Sequence, residues 1–118
     1  MLRSKEEVSL NALLNAVAER QEILSNNLTN VRTKGYERKD LDFSSVLSSI
    51  KNAENAGMEV DMNKAVDNAK YQDFLKQPTY ESELSEMATN HLKYVMLTRI
   101  NGHIYQHLEE ATQSGRAA

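Results

Sequence analysis

The sequence predicts an all-α protein whose two long terminal helices pair as an antiparallel coiled coil. Three observations favour this fold: a single proline with only four glycines in 118 residues, apolar heptads near the N-terminus, and a second periodic apolar pattern near the C-terminus. Aromatic residues make up 6% of the chain, and the mean hydropathy is −0.62. We therefore expect a single domain over residues 1–118 with a thin core that partner chains complete.

The N-terminal helix is predicted over residues 4–31 by apolar residues that step alternately by four and three positions. This seam consists of Leu10, Leu14, Val17, Gln21, Leu24, Leu28 and Val31. Ser4 followed by Glu7 fits a capping box, which starts many helices. Because so narrow a seam buries little surface on its own, the helix is expected to pack against another helix.

The C-terminal helix is predicted over residues 80–112, after the break at Pro78. Its seam comprises Leu84, Met87, His91, Tyr94, Thr98, Asn101, Tyr105 and Leu108. A second stripe beside it comprises Ala88, Leu92, Val95, Ile100, Ile104 and Leu108. A face this wide indicates contacts with more than one neighbouring helix.

The residues between the two helices divide into a turn-rich assembly segment over residues 32–43 and a short, irregular, partly helical middle over residues 44–79. Gly35 is expected to set a tight turn, because glycine takes a positive φ without steric cost. Within the middle we expect a helix over residues 44–57 ended by Gly57, an extended piece over 58–62, and a helix over 63–77.

Composition excludes several classes of function. A net charge of −3 argues against nucleic-acid binding, which usually depends on a basic surface. The chain has no cysteine, which excludes disulfides and thiolate metal sites. The sequence "MLRSKEEVSL" lacks the apolar core of a Sec signal, and no run of 18 apolar residues predicts a membrane span.

No catalytic or cofactor-binding pattern is found, so we expect neither enzyme activity nor a cofactor. His103, His107 and Glu110 share one helical face and are the best metal candidates, but surface histidines without a further fixed ligand are usually solvated. The stretch "RTKGYERK" lacks the spacing of a phosphate-binding loop. Asp40 and Asp42 are interpreted as capping carboxylates of a polar loop.

Two motifs carry a resemblance to a known family. The first is "SNNLTNVRTKGY", with Ser25, Asn26, Asn27, Leu28, Thr29, Asn30, Thr33, Gly35 and Tyr36 at the family's positions. The second is "EMATNHLKYVML", with Glu86, Met87, Asn90, Leu92, Tyr94 and Leu97 matching. Together they resemble the flagellar basal-body rod protein family, and the continuation "ERKDLDF" is similar to its proximal-rod member.

The resemblance implies a structural subunit of the proximal rod that assembles helically through its terminal helices and is needed for flagellum assembly and motility. It further implies export without a Sec signal and a place in the periplasmic rod of the basal body. The implied partners are other rod proteins, further copies of this chain, and the membrane-ring and export-gate components; neither nucleic acid nor a small-molecule substrate is implied.

The residues expected to form the assembly interface are Leu24, Asn26, Asn27, Leu28, Asn30, Thr33, Gly35, Tyr36, Leu41, Phe43, Met87, Asn90, Leu92, Tyr94 and Leu97. Tyr36 and Phe43 have a second interpretation, because aromatic residues of this kind also close small cores within one chain. The main alternative for the whole chain is a cytosolic coiled-coil adaptor, followed at a distance by a zinc-dependent helical enzyme.

Overall fold

A computed structural model describes the backbone of residues 5–117 and the side chains of residues 8–100 and 110. The elements are α1 (Lys5–Thr29), β1 (Arg38–Leu41), α2 (Phe43–Asn55), α3 (Met62–Ala69), β2 (Lys70–Asp73) and α4 (Tyr80–Ala117). The molecule measures 66 × 28 × 17 Å, and its radius of gyration is 17.6 Å. A compact chain of this length would have a radius of about 13.5 Å, so the fold is elongated.

The expectation of an all-α fold is wrong in one respect, because β1 and β2 form a small antiparallel sheet. Arg38 lies opposite Asp73, and Leu41 lies opposite Lys70. Two four-residue strands rich in charge carry no alternating apolar pattern, and they lie about 30 residues apart in the sequence. Their pairing is therefore set by tertiary contacts rather than by local preference.

The structure also corrects the predicted middle of the chain. Residues 58–61, expected to be extended, form no regular element, and the helix predicted over residues 63–77 ends at Ala69. Lys70 has an extended backbone, with φ −76° and ψ 139°, and begins β2. The helix stops here because the next four residues pair with β1 instead of continuing the helical hydrogen bonds.

Three of the predicted signals at turns and helix ends have the expected geometry, whereas the predicted cap at Ser4 and Glu7 lies outside the residues whose side chains are described. Gly35 has a φ of 78°, as a tight turn requires, and Gly57 has a φ of 70° just after α2. The N–H of Gly57 donates to Glu54 and the N–H of Met58 donates to Ala53, which is the glycine-based stop expected at a helix C-terminus. At the start of α2, the Asp42 side chain accepts from the backbone of Ser44, so Asp42 is a cap as predicted.

Helix α1 buries two faces, of which the sequence pattern revealed one. The predicted seam contributes the buried residues Leu10, Val17 and Leu24. A second face contributes small residues that let the other elements approach closely. The core cluster on that side contains Ala12, Ala16, Leu41, Val46, Ile50, Val66 and Ala69.

Over its described residues, the predicted seam of α4 is in the wrong rotational position. The predicted seam and stripe residues Asn101, Ile104, Tyr105 and Leu108 lie outside the residues whose side chains are described. Leu84 and Tyr94 were expected to face inward, yet they are 52% and 43% exposed, whereas Glu83 and Asn90 are buried. Both inward residues are polar, so an apolar periodicity could not find them. The contacts place residues late in α1 against residues early in α4, and the coiling of these helices around each other stays a prediction.

Candidate functional site

A buried group of charged side chains joins α1, the two strands and α4. We call this group the ion network, and its members are Arg20, Arg38, Asp40, Asp73, Glu83 and Glu86. Arg38 is 2% exposed, and Glu83 is fully buried. Charges are costly to bury unless they are paired, so the geometry of their partners decides whether this group stabilises the fold.

Arg38 is the centre of the ion network. Its Nε donates to Oε1 of Glu83 at 2.5 Å, which connects β1 to α4. Its Nη1 donates to Oδ2 of Asp40 at 3.0 Å and to Oδ2 of Asp73 at 3.3 Å. The planar guanidinium presents several donors at fixed angles, so one side chain orients both strands and α4 together.

Arg20 joins the same network from α1. It forms two hydrogen bonds with the carboxylate of Asp40, from Nε at 2.8 Å and from Nη2 at 3.2 Å. The same Nη2 donates to Glu86 on α4 at 2.8 Å. A paired hydrogen bond of this kind fixes orientation as well as distance, so Asp40 bridges Arg20 and Arg38.

Arg20 lowers the pKa of its two carboxylate partners, Asp40 and Glu86. Burial alone would raise the pKa of Asp40, but hydrogen bonds from Arg20 and from the Leu41 backbone hold that pKa below its ordinary value. The hydrogen bond from Arg20 likewise lowers the pKa of Glu86. Both carboxylates are therefore ionised in the folded chain at neutral pH.

This pairing predicts acid sensitivity. A carboxylate whose pKa is lower in the folded state stabilises that state above its ordinary pKa of about 4, and the contribution is lost as the pH falls through the folded value. We expect the free energy of unfolding to be nearly constant from about pH 7 to 5 and to fall below about pH 4. Urea titrations at these pH values measure the free energy of unfolding, and Arg20→Met should make that free energy depend less steeply on pH. An equally steep loss of stability with falling pH in Arg20→Met would contradict the role assigned to Arg20.

Asn27 connects the end of α1 to the edge of β1. Its Nδ2 donates to the carbonyl of Lys39 at 2.7 Å, and its Oδ1 accepts from the N–H of Lys39 at 3.1 Å. The Tyr36 hydroxyl donates to the same Oδ1 at 2.9 Å. One fully buried amide thus occupies the strand edge that β2 leaves unpaired.

The turn between α1 and β1 is held by its own side chains. Nδ2 of Asn30 donates to the Asn26 carbonyl at 2.8 Å, and the Thr33 hydroxyl donates to Oδ1 of Asn30 at 3.0 Å. Asn26, Thr33 and Gly35 are exposed, whereas Tyr36 is half-buried. Burial, with the nearby charge of Glu83, raises the pKa of Tyr36, so its hydroxyl stays protonated and donates to Asn27.

The two apolar residues after the turn pack within the chain. Leu41 is buried in the core cluster, and Phe43 is half-buried against that cluster. The Lys93 ammonium of α4 lies 4.5 Å from the centre of the Phe43 ring, a favourable cation–π distance. These contacts fit the intrachain interpretation of Phe43, and its role between subunits stays a prediction.

The other predicted interface residues differ in burial. Leu24 and Asn90 are buried, and Leu28, Met87 and Leu97 are half-buried. Leu92 and Tyr94 are exposed. Nδ2 of Asn90 donates to the Val17 carbonyl at 2.9 Å and to Oε1 of Gln21 at 2.8 Å, so Asn90 links α4 to α1. Whether any of these residues contacts another subunit stays a prediction.

Sequence reasoning missed the ion network. Arg20 and Glu83 were not singled out, Arg38 was considered only within a rejected phosphate-binding loop, and Asp40 was interpreted as a capping carboxylate. One signal was available: Glu83 and Asn90 lie seven residues apart, which is one heptad, beside a predicted apolar seam. This spacing indicates an inward position only when the polar partners of the two residues are known. Those partners lie far away in the sequence, so the signal could not be used.

The remaining sequence-based candidates are not tested by the structure. His103 and His107 lie outside the residues whose side chains are described. Within the described residues, no group of three or more His, Cys, Asp or Glu side chains could hold a metal ion. The described helices also include none with the length and apolar character needed to cross a membrane.

Two known proteins are similar to part of this chain. The chain is 51% identical over 37 residues to the flagellar basal body rod protein FlgB of Yersinia enterocolitica and, to the same extent, to that of Yersinia ruckeri. These matches cover 31% of this chain and 27% of each relative, so about a quarter of the relatives' length is represented. No family model matches the chain. The local similarity to FlgB supports the resemblance to flagellar basal-body rod proteins.

Proposed function

We propose that this chain is a structural, non-enzymatic subunit of the bacterial flagellar basal-body rod, in its proximal part. The observation that carries the proposal is the 51% identity to FlgB proteins over 37 residues. On this proposal the chain is exported without a Sec signal and joins the rod in the periplasm. There it contacts other rod proteins, further copies of itself, and the membrane-ring and export-gate components.

The geometry of the assembly segment agrees with this proposal. The exposed turn around Gly35 follows α1 directly, and hydrogen bonds between Asn27 of α1 and residues Tyr36 and Lys39 fix its other end at β1. A loop fixed at both ends loses little conformational freedom when it binds. Such a loop is suited to an interface that must form repeatedly between subunits.

Helix α4 offers a second surface for assembly. Its exposed large apolar residues are Tyr80, Leu84, Leu92, Tyr94, Met96 and Ile100. Leu92, Met96 and Ile100 follow one another at intervals of four residues and are therefore neighbours on one side of α4, and exposed apolar surface of this kind marks contacts with other proteins. We propose that α1 and α4 pair as an antiparallel coiled coil and that neighbouring subunits cover this surface as the rod grows.

The test uses Gly35→Val in the bacterium that encodes the chain. The positive φ of Gly35 disfavours a β-branched residue by about 1–2 kcal/mol, although a Cβ there would meet no atom within 4 Å. We expect normal expression together with loss of rod assembly and of motility. Swimming assays and electron microscopy of purified basal bodies measure the effect.

Two controls make this test specific. Gly35→Asn keeps the turn, because asparagine tolerates positive φ, and should preserve most motility. Lys34→Val places the same side chain on the neighbouring exposed residue, where the backbone does not need a positive φ. Normal motility of Gly35→Val would overturn the role of the turn, and a fully motile strain lacking this protein would overturn the proposed function.

A further inference from the structure

An exposed apolar turn follows β2. Leu75 is 100% exposed and Phe74 is 70% exposed, which is unusual for two adjacent large apolar residues. The Asp73 carboxylate connects the turn to β1, because its Oδ1 accepts from the Leu75 N–H at 3.2 Å and its Oδ2 accepts from Arg38 at 3.3 Å. We call Phe74 and Leu75 the apolar knob.

An open apolar cavity lies between the N-terminal part of α1 and the end of α2. Its volume is about 170 Å³, and its apolar walls include Val8, Ile50, Ala53 and Val60. An apolar cavity of about 150 Å³ is large enough to hold benzene. The volume of the α1–α2 cavity therefore matches a phenyl ring of the size that Phe74 carries.

The charges beside the two features are opposite. Lys76 follows the apolar knob directly, and its ammonium lies 3.7 Å from Glu86, a loose contact at an exposed position. The cavity is lined by two exposed acidic residues, Glu54 and Glu59. A knob with a cation beside it and a cavity with carboxylates beside it attract each other in one orientation.

A single chain cannot bring the knob and the cavity together. The knob follows Asp73, which binds Arg38, and the adjacent Lys39 is bound by Asn27 of α1, whereas the cavity borders Val8. Nineteen residues of α1 separate these levels, which is about 28 Å at 1.5 Å per residue. The contact can form only between two chains.

We propose that the apolar knob of one chain inserts into the α1–α2 cavity of a second copy. The contact joins different surfaces on the two chains, so it is heterologous, and it leaves a free knob and a free cavity at the ends for further copies. The proposal does not depend on the chain's being a rod subunit, because it uses neither the Gly35 turn nor the exposed surface of α4.

Cysteine cross-linking tests the contact directly, because the native chain has no cysteine. Leu75→Cys is mixed with Met58→Cys, an exposed residue at the cavity, and a short bis-maleimide is added; an affinity tag on one variant identifies mixed pairs. We expect several times more mixed product than with the matched control Leu47→Cys, which is also exposed on α2. Equal yields from Met58→Cys and Leu47→Cys, or preferential pairing of Leu75→Cys with itself, would overturn the proposal.

Sedimentation at increasing concentration provides an independent measurement. Phe74→Ser should weaken self-association by about tenfold or more, as loss of a central aromatic contact does, while circular dichroism stays unchanged because the side chain is exposed. Lys76→Glu should also weaken association, and adding Glu59→Lys should restore it. A native chain that stays monomeric at millimolar concentration, or association that Phe74→Ser leaves intact, would refute the contact.

Discussion

Replacing Arg38 with methionine is expected to lower the free energy of unfolding by about 3–5 kcal/mol, the usual cost of removing one partner of a buried ion pair. Methionine retains much of the apolar stem of arginine, so the loss measures the missing charge and hydrogen bonds. Glu83 would remain fully buried without its main partner. Urea denaturation followed by circular dichroism measures the change.

Two further variants separate the effect of the charge from a general disturbance of β1. Lys39→Met makes the same replacement at the neighbouring exposed residue and should change stability by less than about 0.5 kcal/mol. Arg38→Met combined with Glu83→Leu removes both charges of the closest pair and should be more stable than Arg38→Met alone. If Arg38→Met lowers the free energy of unfolding no more than Lys39→Met does, the ion network is not the main link to α4.

Replacing Asn27 with alanine is expected to cost about 2–3 kcal/mol. The backbone N–H and carbonyl of Lys39 both lose their partner, and the Tyr36 hydroxyl loses its acceptor. A fully buried polar group left unpaired costs about 1–3 kcal/mol, and each of these three groups costs less than that because it is only partly buried. The same urea titration measures the loss, and hydrogen exchange at the Lys39 amide should become faster.

Asn26→Ala is the matched control for this prediction. Asn26 is the adjacent residue on the same helix, but its side chain is exposed, so the variant should change stability by less than about 0.5 kcal/mol. If Asn26 serves assembly, as proposed, its variant should impair motility while the purified chain stays stable. Equal destabilisation by the two replacements would contradict the stabilising role assigned to the hydrogen bonds of Asn27.

The sequence by itself determined that both terminal parts of the chain are helical, and it located a helix stop, a turn and a helix cap. The heptad spacing of α1 can be recognised along one helix, and the stop at Gly57, the turn at Gly35 and the cap at Asp42 depend on contacts between residues close in the chain. Local backbone preferences decide such features, so they can be recognised from sequence. The motif around Asn27 also pointed to the FlgB resemblance, although it gave no means of distinguishing buried Asn27 from exposed Asn26.

The tertiary structure alone decided the strand pair, the second buried face of α1 and the inward face of α4. Arg38 and Glu83 lie 45 residues apart, and neither belongs inside a protein by its own preference. Their burial becomes favourable only when the other elements supply Asp40, Asp73 and Arg20 as partners. Because that compensation comes from distant parts of the chain, periodicity placed the apolar Leu84 inward and left Glu83 outside, the reverse of what the packed structure adopts.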